Sequence, residues 1–256
     1  MFGQYDLDQS TRLLWQQGPL DLLLSRSQRE LWVAYRQSRP PLDETSHHEM
    51  NPISVPNEDG FVSRRFSLGE KEECTLELTA LTAPNPLVVK LKEPLTLMPR
   101  TETFVYVTTP LWVGFRSLHQ DQCFFEIPSF DLQKSWFGPR TNDGALCLTC
   151  QTRGTIFADR LKNYPLRAMT AIRLQHDGKR AFELEKLRLP VVYLPLYRKT
   201  SGEIVTPQLN VCITDHTVDL EIEKAHKEHA GMKERLCKAR KPVPSVFQRT
   251  LNAMIG

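Results

Sequence analysis

Two cysteines three positions apart, Cys147-Leu-Thr-Cys150, are the sharpest chemical motif in the 256-residue chain. A thiolate pair at this spacing binds zinc or forms a redox disulfide when a tight turn brings the sulfurs together. Zinc needs further ligands, and His226-Lys-Glu-His229 would supply two of them one helical turn apart. Yet Cys147-Leu-Thr-Cys150 alternates like a strand, which points the thiols to opposite faces. Buried, reduced core cysteines are therefore the favoured reading. A second chemistry is offered by Trp112, Phe115, Trp136 and Phe137, which together would make a stacking platform for a sugar or another small ligand. Aromatic residues in β-sandwiches more often fill the core. No Gly-x-Ser-x-Gly elbow, Gly-x-Gly-x-x-Gly turn or Walker loop occurs. Neither a cofactor nor an enzyme activity is expected.

The elements that must position these residues read as β. Arg12–Trp15, Leu20–Leu24 and Glu30–Arg36 are short apolar runs, the first two split by the turn Gln17-Gly18-Pro19. Good helix formers make a helix over 20–35 the competing reading, and the turn signals favour strands. Residues 38–60, with four prolines among polar residues, read as a loop, and the adjacent His47-His48 within it as solvated side chains. Phe61–Phe66, Cys74–Ala80, Leu87–Leu91 and Ala168–Gln175 follow with turns every 8–12 residues, a sandwich or barrel signature. His176-Asp177-Gly178-Lys179 predicts a hairpin joining Ala168–Gln175 to Phe182–Leu189.

The C-terminal segment changes character. Ile222, Ala225, His229, Met232, Leu236 and Ala239 recur at helical spacing, which predicts an amphipathic helix. His229 on that stripe suits packing better than metal. Lys241-Pro-Val-Pro244 breaks the pattern, and Ser245-Val-Phe-Gln248 reads as a capping box before a short helix carrying Phe247, Leu251 and Met254. Residues 223–256 hold eight Lys/Arg against three Asp/Glu, while the whole chain is only +3. The body is thus slightly acidic and gives no hint of a nucleic-acid surface. No apolar run is long enough to span a bilayer, and no signal peptide is evident. The chain is expected in the cytoplasm, peripheral to the inner membrane where a partner holds it there, with its thiols reduced.

Val105-Tyr-Val-Thr-Thr-Pro-Leu-Trp-Val-Gly114, Lys134-Ser-Trp-Phe-Gly-Pro139 and Gly144-Ala-Leu-Cys147, with Phe2-Gly-Gln-Tyr-Asp-Leu7, resemble an uncharacterised prokaryotic family known mainly from archaea. The resemblance covers about residues 1–222, with Leu148 standing where an arginine is expected. It implies an all-β fold and, because the family's genes often neighbour those of small-conductance mechanosensitive channels, an accessory role beside such a channel. It supplies no catalytic residues.

The expectation is a mainly antiparallel β-sandwich, one large or two stacked, over 1–222 with an internal boundary near 138–144. A basic helical extension follows over 223–256. Its function is read first as a non-enzymatic interaction protein. The partner would be a protein, a membrane channel or a second copy, docked through Met232, Leu236, Phe247, Leu251 and Met254. The alternatives are a sugar- or small-ligand-binding sandwich using Trp112 and Trp136, and a metal or thiol enzyme built on Cys147, Cys150, His226 and His229.

Overall fold

The computed structural model describes residues 1–52, 59–68, 74–117, 122–138, 145–223, 231–243 and 248–250. Among the described residues strands take 60% and helix 3%, the latter as the single 3₁₀ turns Ala158–Arg160 and Val191–Tyr193. The fold is therefore mainly β. The chain divides into two compact units. One comprises Met1–Leu81, Trp112–Asp131 and Tyr164–Leu166, the other Thr82–Leu111, Leu132–Asn163 and Arg167–Gly256.

The first unit is built from period-two alternation. Its five-stranded antiparallel sheet runs in the order Ser46–Met50, Arg12–Gln17, Leu20–Arg26, Glu30–Gln37, Val62–Ser67. Leu13 and Trp15, then Leu20, Leu22 and Leu24, then Leu31 and Val33 all point inward. They meet Leu7, Leu76, Leu78, Val113, Phe115 and Ile127 from a second sheet, Gly3–Leu7, Cys74–Leu81, Trp112–Ser117 and Phe125–Pro128. The Gly18-Pro19 turn closes a hairpin in which Gln17 pairs with Leu20. Gly18 sits at φ +52, and a Cβ there would stand 3.1 Å from the Pro165 carbonyl oxygen, so only glycine fits without strain. Asp21 and Arg26, on one strand of this sheet, are both buried. Asp21 is 0% exposed and takes Arg39 at 2.6 Å, Arg36 at 2.9 Å and the Gln16 amide at 3.3 Å.

The segment read as a loop around His47-His48 is instead an edge strand, Ser46–Met50, paired with Arg12–Gln17. His48 lies opposite Trp15 in register and stacks on its indole at 5.2 Å. That contact gives a polar, proline-flanked stretch a reason to pair.

The second unit mixes ladder types. Its larger sheet centres on Arg167–His176, antiparallel to Thr101–Pro110 and parallel to Leu209–Ile213, which continues antiparallel into Thr217–Ile222 and Gln248–Thr250. Toward the other end lie Ile204–Val205, Leu196–Lys199 and Met232–Cys237. A four-stranded sheet holds Gln133–Phe137, Ala145–Thr152, Leu87–Leu97 and Phe182–Leu189, the middle pair parallel. The expected antiparallel pattern thus holds for most ladders but not for these two, nor for Arg167–His176 against Ile204–Val205, which is also parallel. Buried hydroxyls join the two sheets: the Thr108 backbone N–H donates to Thr152 Oγ1 at 3.3 Å, and Arg167 donates to Thr108 Oγ1 at 2.9 Å and to the Thr108 carbonyl at 2.7 Å.

The Asp177-Gly178 turn does not close a hairpin, because Arg167–His176 and Phe182–Leu189 belong to different sheets. Gly178 is required by crowding and not by a positive φ: a Cβ would lie 2.6 Å from His176 Nε2 and 2.8 Å from Asp215 Oδ1. The described residues of the C-terminal segment also form strands where helices were expected. Met232–Cys237 pairs with Leu196–Lys199, and Gln248–Thr250, which begins at the expected capping-box glutamine, pairs with Thr217–Ile222. The register of Met232–Cys237 shifts twice against Leu196–Lys199, so this strand is bulged and does not keep strict period-two alternation. Gly231, at φ +66, separates Met232 from the earlier part of the stripe. His226, His229, Phe247, Leu251 and Met254 lie outside the described residues.

Candidate functional site

The aromatic quartet is divided between the units. Trp112, at 7% exposure, and Phe115 are core residues of the first, Phe115 packing its ring 5.5 Å from that of Phe125. Trp136, 55% exposed, and the half-buried Phe137 stand on Gln133–Phe137 in the second. Cys147 and Cys150 are both buried on Ala145–Thr152, three residues apart and so on opposite faces. Burial pushes the Cys147 thiol up and the Cys150 thiol up to about 11, only partly offset by the neighbouring Arg188 and Arg167 guanidiniums. Both stay protonated at neutral pH, the inert form of a cysteine. Leu236 is half-buried on its strand. No group of three or more metal-ligating side chains occurs among the described residues.

What the structure does assemble is a polar cleft on the larger sheet of the second unit. Three adjacent strands supply it through their register. Arg173 pairs with Asn210, which pairs with Glu221; Gln175 pairs with Cys212, which pairs with Asp219. The intervening Leu174, Val211 and Leu220 are buried, so the six polar or thiol side chains share the outer face. They line a cavity of about 300 Å³.

The cleft is held by local hydrogen bonds. Arg173 meets Glu102 in a two-pronged contact, Nε to Oε1 at 2.9 Å and Nη2 to Oε2 at 2.7 Å. This contact lowers the Glu102 carboxyl and raises Arg173, so both remain charged. Gln175 donates to both Asp177 oxygens, and Gln208 donates to Asn210 Oδ1 at 2.9 Å. Cys212 donates to Asp177 Oδ2 at 3.4 Å. Burial first, then the Asp177 hydrogen bond and the charges of Asp177 and Asp219, push the Cys212 thiol up. The one thiol in the cleft is therefore a poor nucleophile. Asp219 and Glu221 have no hydrogen-bond or ion-pair partner among the described residues. With Arg173 neutralised by Glu102, the lining carries a surplus of negative charge.

Sequence reading passed over these residues because each looks like an ordinary solvent-facing position of its own strand. The available signal was their coincidence: polar alternation at 173/175, 210/212 and 219/221, in strands that lie side by side.

Fold and site together define an all-β protein of two compact units bearing an open, acidic, amide-lined cleft. The chain belongs to the family described as protein of unknown function (DUF432), which matches residues 1–255. The match runs through the basic C-terminal segment that the sequence had suggested was additional. No curated protein and no solved structure matches the chain.

Proposed function

We propose that this is a non-enzymatic binding protein whose cleft in the second unit takes a small organic cation. The observation that carries the reading is the pair of unpartnered carboxylates, Asp219 and Glu221, beside the amides of Gln175 and Asn210. Carboxylates would supply the charge, and the amides would fix orientation through directional hydrogen bonds. The protonated Cys212 favours binding over covalent catalysis. Met232 and Leu236, two of the five residues expected to dock a partner, lie on a strand and not on a helix. No helix among the described residues is long and apolar enough to cross a membrane.

Calorimetric titration of the whole chain with spermidine, choline and glucose is the test. Saturable binding of an amine, weakened about tenfold or more in Glu221→Gln and Asp219→Asn and by added salt, supports the reading. Equal binding by the double variant, or binding of glucose alone, overturns it.

A further inference from the structure

The first unit carries a second cavity, of different chemistry and independent of the cleft. It lies on the outer face of the five-stranded sheet and measures about 210 Å³. Register builds it row by row. Arg12, Ser25, Trp32 and Arg65 face one another across four strands, and Leu23, Ala34 and Ser63 form the next row on the same face. Small side chains in that second row leave a depression, with Phe61 also contributing to its wall.

The rings at its edges are held in place. Trp32 is 39% exposed, and its indole N–H donates to Glu30 Oε2 at 3.2 Å. The Arg65 guanidinium stands 5.2 Å from the Trp32 ring, and Arg36 stands 4.6 Å from the Phe61 ring. Each cation fixes a ring, as cation–π contacts do, and neither arginine lines the cavity. Arg12 does line it, and its guanidinium has no partner among the described residues. No carboxylate is among the described lining residues.

We propose that this cavity binds a ring-shaped, hydroxyl-bearing carboxylate: an acidic sugar of the uronic acid kind. Arg12 matches a carboxylate in charge and in its two-pronged geometry. The half-exposed indole offers a flat apolar face to a sugar ring. Ser25 and Ser63 offer hydroxyls to its hydroxyl groups. The volume lies below the ~300–1,000 Å³ of pockets for drug-sized ligands, which suits a single ring.

The test titrates the whole protein with D-glucuronate, D-glucose and benzoate, read by calorimetry and by tryptophan fluorescence. Saturable glucuronate binding is expected, with glucose and benzoate each weaker by about tenfold or more, because glucose lacks the carboxylate and benzoate lacks the hydroxyls. Arg12→Gln and Trp32→Ala should each weaken glucuronate by a similar factor. Both positions are on the exposed sheet face, and Asp219→Asn in the other unit should leave glucuronate binding unchanged. Absence of saturable glucuronate binding, unchanged affinity in Arg12→Gln, or benzoate binding as tightly as glucuronate overturns the assignment.

Discussion

Replacing Asp21 by asparagine keeps the shape of a buried side chain and removes its charge. The carboxylate is fully buried and receives Arg36 at 2.9 Å and Arg39 at 2.6 Å. Removing one partner of a buried ion pair costs about 3–5 kcal/mol when the other is left without compensation. Compensation here is partial. Arg39 keeps the Gly18 and Leu20 carbonyls and Asp43 at 3.5 Å, Arg36 keeps the Asp59 carbonyl, and both arginines are about one-fifth exposed. The expected loss is therefore roughly 2–3 kcal/mol, at and below the lower end of that range. Native-state hydrogen exchange of peptides covering Leu20–Arg26 and Glu30–Gln37 reads it directly, as exchange about 30- to 150-fold faster in the variant. A change below about 0.5 kcal/mol is the value for a solvated surface pair, and would show that Asp21 is not the buried anchor of this sheet.

Gly178→Ala should destabilise the second unit by about 1–3 kcal/mol, since the new methyl must displace the buried His176 ring or Asp215, which accepts the Lys179 N–H; denaturant unfolding at an unchanged midpoint would contradict the crowding. Native Cys147 and Cys150 should resist a thiol reagent at pH 7.5 and react once the chain is unfolded, whereas rapid native labelling of either would contradict their burial. Cys150 also predicts a pH dependence. Its thiol is raised from 9.0 to about 11 in the fold, so the stabilisation it gives is full below pH 9 and is lost as pH rises through about 11, at most about 3 kcal/mol. Cys150→Ala should flatten that part of the alkaline stability curve relative to wild type, and identical curves would refute the shift.

The first unit was legible because its strands bury one face: Leu13/Trp15, Leu20/Leu22/Leu24 and Leu31/Val33 announce their period without help from the rest of the chain. The C-terminal segment was not, because its apolar spacing is helical and the strand it forms is bulged, with no clean period of two to announce it. The choice was made by the pairing partner Leu196–Lys199, more than thirty positions away in sequence. Asp21 was hidden for the opposite reason. A lone acid in Leu-Asp-Leu-Leu-Leu reads as the solvent face, and only the tertiary arrival of Arg36 and Arg39 makes burial tolerable. Trp112 and Phe115 were rightly suspected of being core, while the open cleft depends on which strands become neighbours, information that no single strand contains.

The division of the chain into two compact units has a consequence for its synthesis. The first unit's second sheet needs Trp112–Ser117 and Phe125–Pro128, and its core includes Leu166. A nascent chain that has exposed only its first 81 residues holds the five-stranded sheet and just Gly3–Leu7 and Cys74–Leu81 of the sheet that covers it, which leaves part of its apolar face bare. Its cover grows with Trp112–Ser117 and Phe125–Pro128 and is complete only at Leu166, about 85 residues further on, a delay that favours chaperone capture or aggregation. For the same reason neither unit can be cut out as one continuous fragment. A smaller version of the first unit has to be made by joining three separate segments.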